Sequence, residues 1–571
     1  MNGNGNDRTY DPRHGSADWL FQNGTIYTVD AEQPTAEVVA VRGREIVYVG
    51  DADGAADWRG PNTRVVDLAD RMLLPGFIDG HDHLASLGIT KLGVNIGGLH
   101  GKDAVLQAIR EWIATQPADA PLRGHGWATR STFGAEHPRR EWLDEVTGDR
   151  PMYVLNADMH ETWFNTAAMK AAGISAETPD LQPGVQFLHR DPDGTPSGLA
   201  VEGASLPILI ACGMTSPESI REAQRRTLDV APAMGMTTYV DCGMLVGVKN
   251  AAAAPVWVGL IDRDNAGDLP VRIVGTVWTR AEEDDPAAIA AELVDWSSRF
   301  RSEHVQIKAC KMWTDGTFPN GSAKLLEPFC DDSPGGDSML LSPEHIEAQI
   351  EAVHLAGFDM HVHCDADGTV RAVLDAFENV IKRHGLQGLR HTMCHLSLVH
   401  PDDIPRFAQL GIIVNGTPIW ATDYNGVDYD RYQCQLGAER FEERLLPYGD
   451  IMRTGAVVTF GADIGGVDID EVPPLIQISA ALTRKRPGHP DDRPMVARQR
   501  ITLDQAIRAY TINGAYQARL EDMVGSIEVG KLADLVVLGA NLFEVAPEYL
   551  HEVPVLLTLM DGHVRHDALN D

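Results

Sequence analysis

Five side chains in this 571-residue sequence, and a sixth from one of two lysines, have the types and spacing needed to hold divalent cations. His81 and His83 flank Asp82 in a His-Asp-His triplet. Residues two apart in an extended segment point the same way, so both imidazoles can grip one ion from one side. His363 closes the run FDMHVHC, His395 closes HTMCHL, and Asp463 sits in FGADIGG. His361, two residues before His363, shares its face at a deeper level. Asp463 could bind an ion or take a proton from an attacking water, and alone it would equally fit a helix N-cap. Lys308 and Lys311 lie in VQIKACKMW. Lysine is rarely buried without a partner. An ammonium cannot bind a metal, but an amine carbamylated by CO2 becomes a carboxylate-like group that can bridge two ions. Taken singly, each histidine fits a hydrogen bond as well as a metal.

Each of these residues ends an apolar, β-branched run. Eight such runs begin at Leu73, Met236, Val271, Val305, Phe358, His391, Ile412 and Ala456. Most are separated by stretches of helical periodicity, such as Pro286–Ser298, Pro343–Ala356, Thr369–His384 and Pro401–Leu410. Eight strand–helix alternations are the grammar of an α/β fold of the (β/α)8 TIM-barrel kind, whose active site lies at the C-terminal ends of the strands. The gap from 84 to 235 is far longer than one crossover and reads as an insertion above the barrel mouth. At the two ends of the chain, 19–29, 38–49, 533–538 and 555–567 alternate apolar and polar residues around Asn-Gly, Arg-Gly and Asp-Gly turns. The expected organisation is a loosely ordered start (1–18), a small β-sandwich domain built from both termini (19–74 and 517–571), and a barrel over 75–516.

The formal net charge is −34, from 48 basic and 82 acidic residues, which disfavours nucleic acid and anionic membrane as partners. No apolar run approaches the ~18 residues of a membrane span, and the polar start does not read as an export signal. The seven cysteines, odd in number and without a CxxC pair, argue against a disulfide framework and a zinc ribbon. A cytoplasmic protein acting on a small molecule is the expectation.

The order HxH after strand one, Lys on four, His on five, His on six and Asp on eight resembles the amidohydrolase superfamily. LNADMHETWFNTAAM (155–169), CKMWTDGT (310–317), MHVHCDADG (360–368) and the tail YTINGAYQARLEDMVGSIEVGKLADLVVL (510–538) are similar to the amidohydrolase 3, or YtcJ-like, branch, which includes N-substituted formamide deformylases. The likeness runs over about 19–567. The sequence departs from the branch pattern at Cys394, where a Glu is usual, at Ala462, at Gly368 and at Trp420.

The resemblance implies that His81, His83 and Asp463 hold one ion, that His363 and His395 hold a second, and that Lys311, carbamylated, lies between them. It implies Zn2+, one or two ions, with Mn2+, Fe2+ or Co2+ as alternatives. The activity implied is hydrolysis of an N-formyl or N-acyl C–N bond by metal-activated hydroxide, with Asp463 and Lys311 as the catalytic pair. Lactone, carbamate or ester hydrolysis, decarboxylation and isomerisation use the same fold, as would a non-catalytic scaffold. His160, Trp163 and Trp127 are candidates for substrate contact, with packing of the insertion as the other reading. Asp315 is a candidate for contact or for orienting a ligand. A homodimer is the assembly the resemblance suggests.

Overall fold

A computed structural model of the chain describes residues 15–570, apart from 84–91, 129–131, 135, 158–160, 182–185, 244–249, 280, 332, 334, 425, 427 and 464–471. Eight parallel strands form one sheet: β1 Phe77–Asp82, β2 Met236–Asp241, β3 Arg272–Thr279, β4 Val305–Trp313, β5 Asp359–Cys364, β6 Thr392–His395, β7 Ile413–Gly416 and β8 Val458–Phe460. They are ordered β1 to β8 in space as in sequence. Helices such as Pro286–Arg299, Pro343–Leu355 and Asp367–His384 cover the outside, each beginning close to where the sequence periodicity starts. The outward-facing aliphatic residues of the strands and the inner faces of these helices form one buried core.

The first apolar run, expected as one strand from Leu73, is two. Met72–Pro75 pairs antiparallel with Leu535–Leu538 of a separate sheet, and only after Gly76 does the chain enter the barrel. Glycine is required at the switch, since a Cβ there would lie 2.4 Å from Cγ2 of Thr237 on β2. The separate sheet has eight strands, drawn from Trp19–Tyr27 to Met72–Pro75 and from Leu535–Leu538 to His563–Asp567. It wraps a core of its own that includes Phe21, Val39, Leu73, Val537 and Leu559. Its ends meet where Gly562 packs against the carbonyl of Gly43. Asn23-Gly24, expected as a hairpin turn, is instead a bulge inside Trp19–Tyr27, whereas Gly43 and Asp561-Gly562 do turn hairpins. Of the start, 1–14 lie outside the described residues, and Ala17 is buried and donates its amide to Trp58 O at 2.8 Å.

The long segment between β1 and β2 carries a six-stranded sheet that runs from Val94–Asn95 to Pro196–Val201, with its own apolar core. Pro217–Leu228 then leads back to β2. No helix among the described residues is long and apolar enough to cross a membrane.

Candidate metal centre

Strand alternation and one backbone device bring the expected ligands to one end of the barrel. His81 and Lys311 are fully buried, and His83, His363, His395 and Asp463 are nearly so. Just past β8 the chain turns left-handed at Asp463 (φ 52°), and at the end of β6 it does so at His395 (φ 74°) and Leu396 (φ 54°). Left-handed backbone costs a non-glycine residue about 1–3 kcal/mol and recurs at functional sites. Here it turns the His395 ring and the Asp463 carboxylate toward each other, with His395 Nδ1 3.6 Å from Oδ2. Oδ1 of the same carboxylate lies 3.3 Å from His83 Nε2 and 3.6 Å from His81 Nε2. The His363 and His395 rings are 4.3 Å apart between centroids.

Hydrogen bonds behind the rings decide which nitrogen each presents. His83 Nδ1 donates to Gly243 O at 2.7 Å, so Nε2 faces Asp463. His363 Nε2 donates to Gly316 O at 3.0 Å, which leaves Nδ1 as its free acceptor. The His81 Nδ1 atom lies 2.9 Å from His361 Nε2, and its own Nε2 faces Asp463. Burial first, with the Lys311 charge adding to it, holds His81 and His361 well below the ordinary imidazole range and takes His363 to about 3. Burial, then His363 and Lys311, does the same to His395. Neutral imidazoles are the form that ligates metals. His83 Nε2 and the Asp463 carboxylate oxygen lie 3.3 Å apart, close enough for both to reach one cation. His81, His395 and Asp463 have donor atoms within 4.8 Å of one another, a spread suited to one ion. The donor set therefore fits a divalent metal.

Of the two lysines, Lys311 points into the barrel, with Nζ 3.1 Å from Cys394 Sγ and 3.5 Å from His81 Nε2. Lys308, at an irregularity of β4, points out and donates to the carbonyls of Ala518 and Arg519. Burial lowers its pKa to about 8. Asp315 is fully buried. It accepts from the amides of Asp365 and Ala366 at the start of Asp367–His384, and its Oδ1 lies 3.4 Å from His363 Nε2. Burial, then the neighbouring Asp365, raises its pKa well above the carboxylate range. Its place is beside His363 and not at an open surface.

The expected substrate-contact tryptophans are not at this site. Trp127 and Trp163 are both fully buried in the core of the insertion, where their Nε1 atoms donate to Val154 O and Arg139 O. His160 lies outside the described residues. The indoles that do flank the centre are Trp313, stacked on His83 at 6.1 Å, and Trp420, stacked on His395 at 5.6 Å.

Sequence reasoning missed Asp79. Its carboxylate is fully buried and accepts the His81 amide at 2.9 Å and the Ala462 amide at 2.8 Å, so it ties β1 to the end of β8. Burial, only partly offset by these two amides, raises its pKa to about 8. Its spacing of two from His81 was the available signal, because alternation puts both on one face.

The chain is similar to known proteins over most of its length. The model of the amidohydrolase family matches residues 64–566. "Protein LONG AFTER FAR-RED 3" of Arabidopsis thaliana is 28% identical over 96% of this chain and 91% of its own length. The N-substituted formamide deformylase of Arthrobacter pascens is 26% identical over 96% of this chain and 98% of its own. Among solved structures, a metal-dependent hydrolase from Pyrococcus horikoshii superposes with a TM-score of 0.72 at 20% identity, covering 96% of this chain and all of that one. With the family model spanning most of its length, this chain belongs to the amidohydrolase family.

Proposed function

We propose that this chain hydrolyses an amide-like C–N bond, N-formyl or N-acyl, of a small molecule at the rim formed by β1, β4, β5, β6 and β8. The observation that carries this reading is the carboxylate of Asp463 set among three imidazole nitrogens at 3.3–3.6 Å, one ring being oriented by its bond to Gly243 O. His81, His83 and Asp463 would hold one ion, and His363 and His395 a second. Lys311, once carbamylated, would supply a further oxygen ligand to them. A divalent ion there, Zn2+ by the nature of its donors, lowers the pKa of water to about 7 and polarises a carbonyl.

The chain's own groups do the rest. The Asp463 side chain is 12% exposed at the rim, so it can reach both a reacting water and a departing amine. It takes the water's proton and returns it to the leaving nitrogen. Gly243 O and Gly316 O keep His83 and His363 in the tautomers that present a lone pair. Lys311 has no carboxylate within ion-pair range among the described residues, and an ammonium buried that way is costly. Carbamylation replaces it with an anion that two cations offset. The relative named for N-substituted formamides supports an amide over an ester or lactone.

Metal analysis of the pure protein, followed by assay on N-formyl, N-acyl, carbamate and lactone compounds, tests the reading. Amide turnover that falls with chelation and returns with metal is expected. Lys311→Ala should lose metal and activity together, with partial return on adding short carboxylic acids. Full turnover after verified chelation would overturn it, and cleavage of lactones alone would reassign the bond.

A further inference from the structure

Beneath the rim, two metal-type donors that the proposed reaction does not use, His361 and Cys394, meet His81, which it does use. Thr392 and Cys394 alternate inward on β6 while Met393 joins the outer core, so the Cys394 thiol faces the barrel interior. On β5, His361 lies one inward step below His363. On β1, His81 lies one step below His83. These three side chains are buried to 2% exposure or less, and their donor atoms fall within 4.8 Å of one another. His361 Nε2 and His81 Nδ1 are 2.9 Å apart. A second thiol, Cys242, lies 3.8 Å from both nitrogens of the His361 ring.

The group has a further feature. The Lys311 Nζ atom lies 3.1 Å from Cys394 Sγ and 3.5 Å from His81 Nε2, so a nitrogen already sits against two of the three residues. Two imidazoles and a thiol suit soft or borderline ions, whereas the carboxylate and imidazoles of the rim also accept harder ones. Binding an ion deprotonates a coordinating thiol outright, whatever the thiol's proton affinity in the metal-free chain.

We propose that His81, His361 and Cys394 form a deep cation station for a thiophilic divalent ion, Zn2+, Co2+ or Cd2+, with Cys394 as a thiolate ligand. The station shares His81 with the rim group of His81, His395 and Asp463. The two groups thus share one imidazole, and the Lys311 side chain lies against the lower one.

Cobalt titration of the chelator-stripped protein tests this. A sulfur-to-cobalt charge-transfer band in the near ultraviolet is expected in the wild type. It should be lost in Cys394→Ser, weakened in His361→Gln, and kept in Cys242→Ser. X-ray absorption of the zinc-loaded wild type should show a sulfur shell at about 2.3 Å, a readout independent of how any variant folds. Absence of both the band and the sulfur shell in the wild type overturns the proposal. So does a band that survives Cys394→Ser, or a loss of affinity in His361→Gln confined to the visible absorption of the rim ion, which would make His361 only a hydrogen-bond partner of His81. Hydrolysis without sulfur ligation leaves the proposed function standing and removes this inference. Sulfur ligation without hydrolysis does the reverse.

Discussion

His81 and Asp463 meet twice: the Asp463 amide donates to His81 O at 3.1 Å, and the Asp463 carboxylate lies 3.6 Å from His81 Nε2. The bond that helps join the first and last strands of the barrel therefore involves the same two residues as the candidate metal centre. Closing the sheet and placing the ligands are one event, and Asp79 reinforces it by taking an amide from each side.

Asp79→Asn tests that coupling. The two carboxylate oxygens accept from different strands, Oδ1 from His81 N and Oδ2 from Ala462 N. An asparagine offers one acceptor and turns an NH2 toward the other amide. A buried donor left unsatisfied costs about 1–3 kcal/mol. Urea unfolding should show a loss of that size, and metal affinity should fall with it. Unchanged stability would mean that the strands are held elsewhere.

Gly461→Ala should be more severe. A Cβ at 461 would lie 2.4 Å from His81 O, 2.6 Å from His81 N and 2.6 Å from the Asp79 carboxylate. Two of those three atoms are backbone and cannot swing away. β8 must move outward, carrying Asp463 off the imidazoles. Bound metal and turnover should fall together. A variant with full metal content and wild-type turnover would show that β8 shifts without moving Asp463.

Much of this was legible in the sequence, for reasons that can be named. β2 to β8 are short β-branched runs bounded by helical periodicity, and each chemical residue closes its run, so order and polarity followed. The split at Gly76 did not, because LLPGFIDGH is apolar throughout and the need for glycine arises from Thr237, 161 positions later. For Trp127 and Trp163 the sequence leaves contact and packing both open, for a similar reason. An indole reads alike in a pocket and in a core, and what separates the two is the partner carbonyls of Val154 and Arg139. The left-handed backbone at His395 and Asp463 leaves no mark in residue type, since neither is a glycine.

Asp463→Asn isolates the proton-transfer role. The amide keeps the shape and one oxygen near the imidazoles but cannot take a proton at neutral pH. General acid–base catalysis contributes about 10^2–10^4-fold, so kcat should drop by that order while the fold and much of the bound metal persist. A variant with wild-type kcat would place the base elsewhere.

A last prediction concerns pH and the junction between barrel and β-domain. His304 lies between Asp264 and Asp561, 2.6 Å from each, and Asp561 also pairs with Arg272 at 2.8 Å. Burial opposes the charged imidazole, but the bonds to Asp561 and Asp264 outweigh it and raise the pKa above 6.5. The partners shift the other way: despite burial, His304 and Arg272 hold Asp561 far below the carboxylate range, and Ser302 and His304 lower Asp264. A raised imidazole pKa gives stability that is complete below the unfolded value and lost as pH climbs through the folded one. The lowered carboxylates give stability present above their unfolded values and lost as pH falls. All three are charged together between about pH 4 and 6.5. Above the raised His304 pKa the ring keeps one N–H, so one of its two carboxylates loses its donor. The stability lost in His304→Gln, read by urea unfolding, should therefore be greatest near about pH 5–6 and shrink toward both acid and alkali. A loss that stays flat from about pH 5 to 9 would mean that the ring acts here by shape alone.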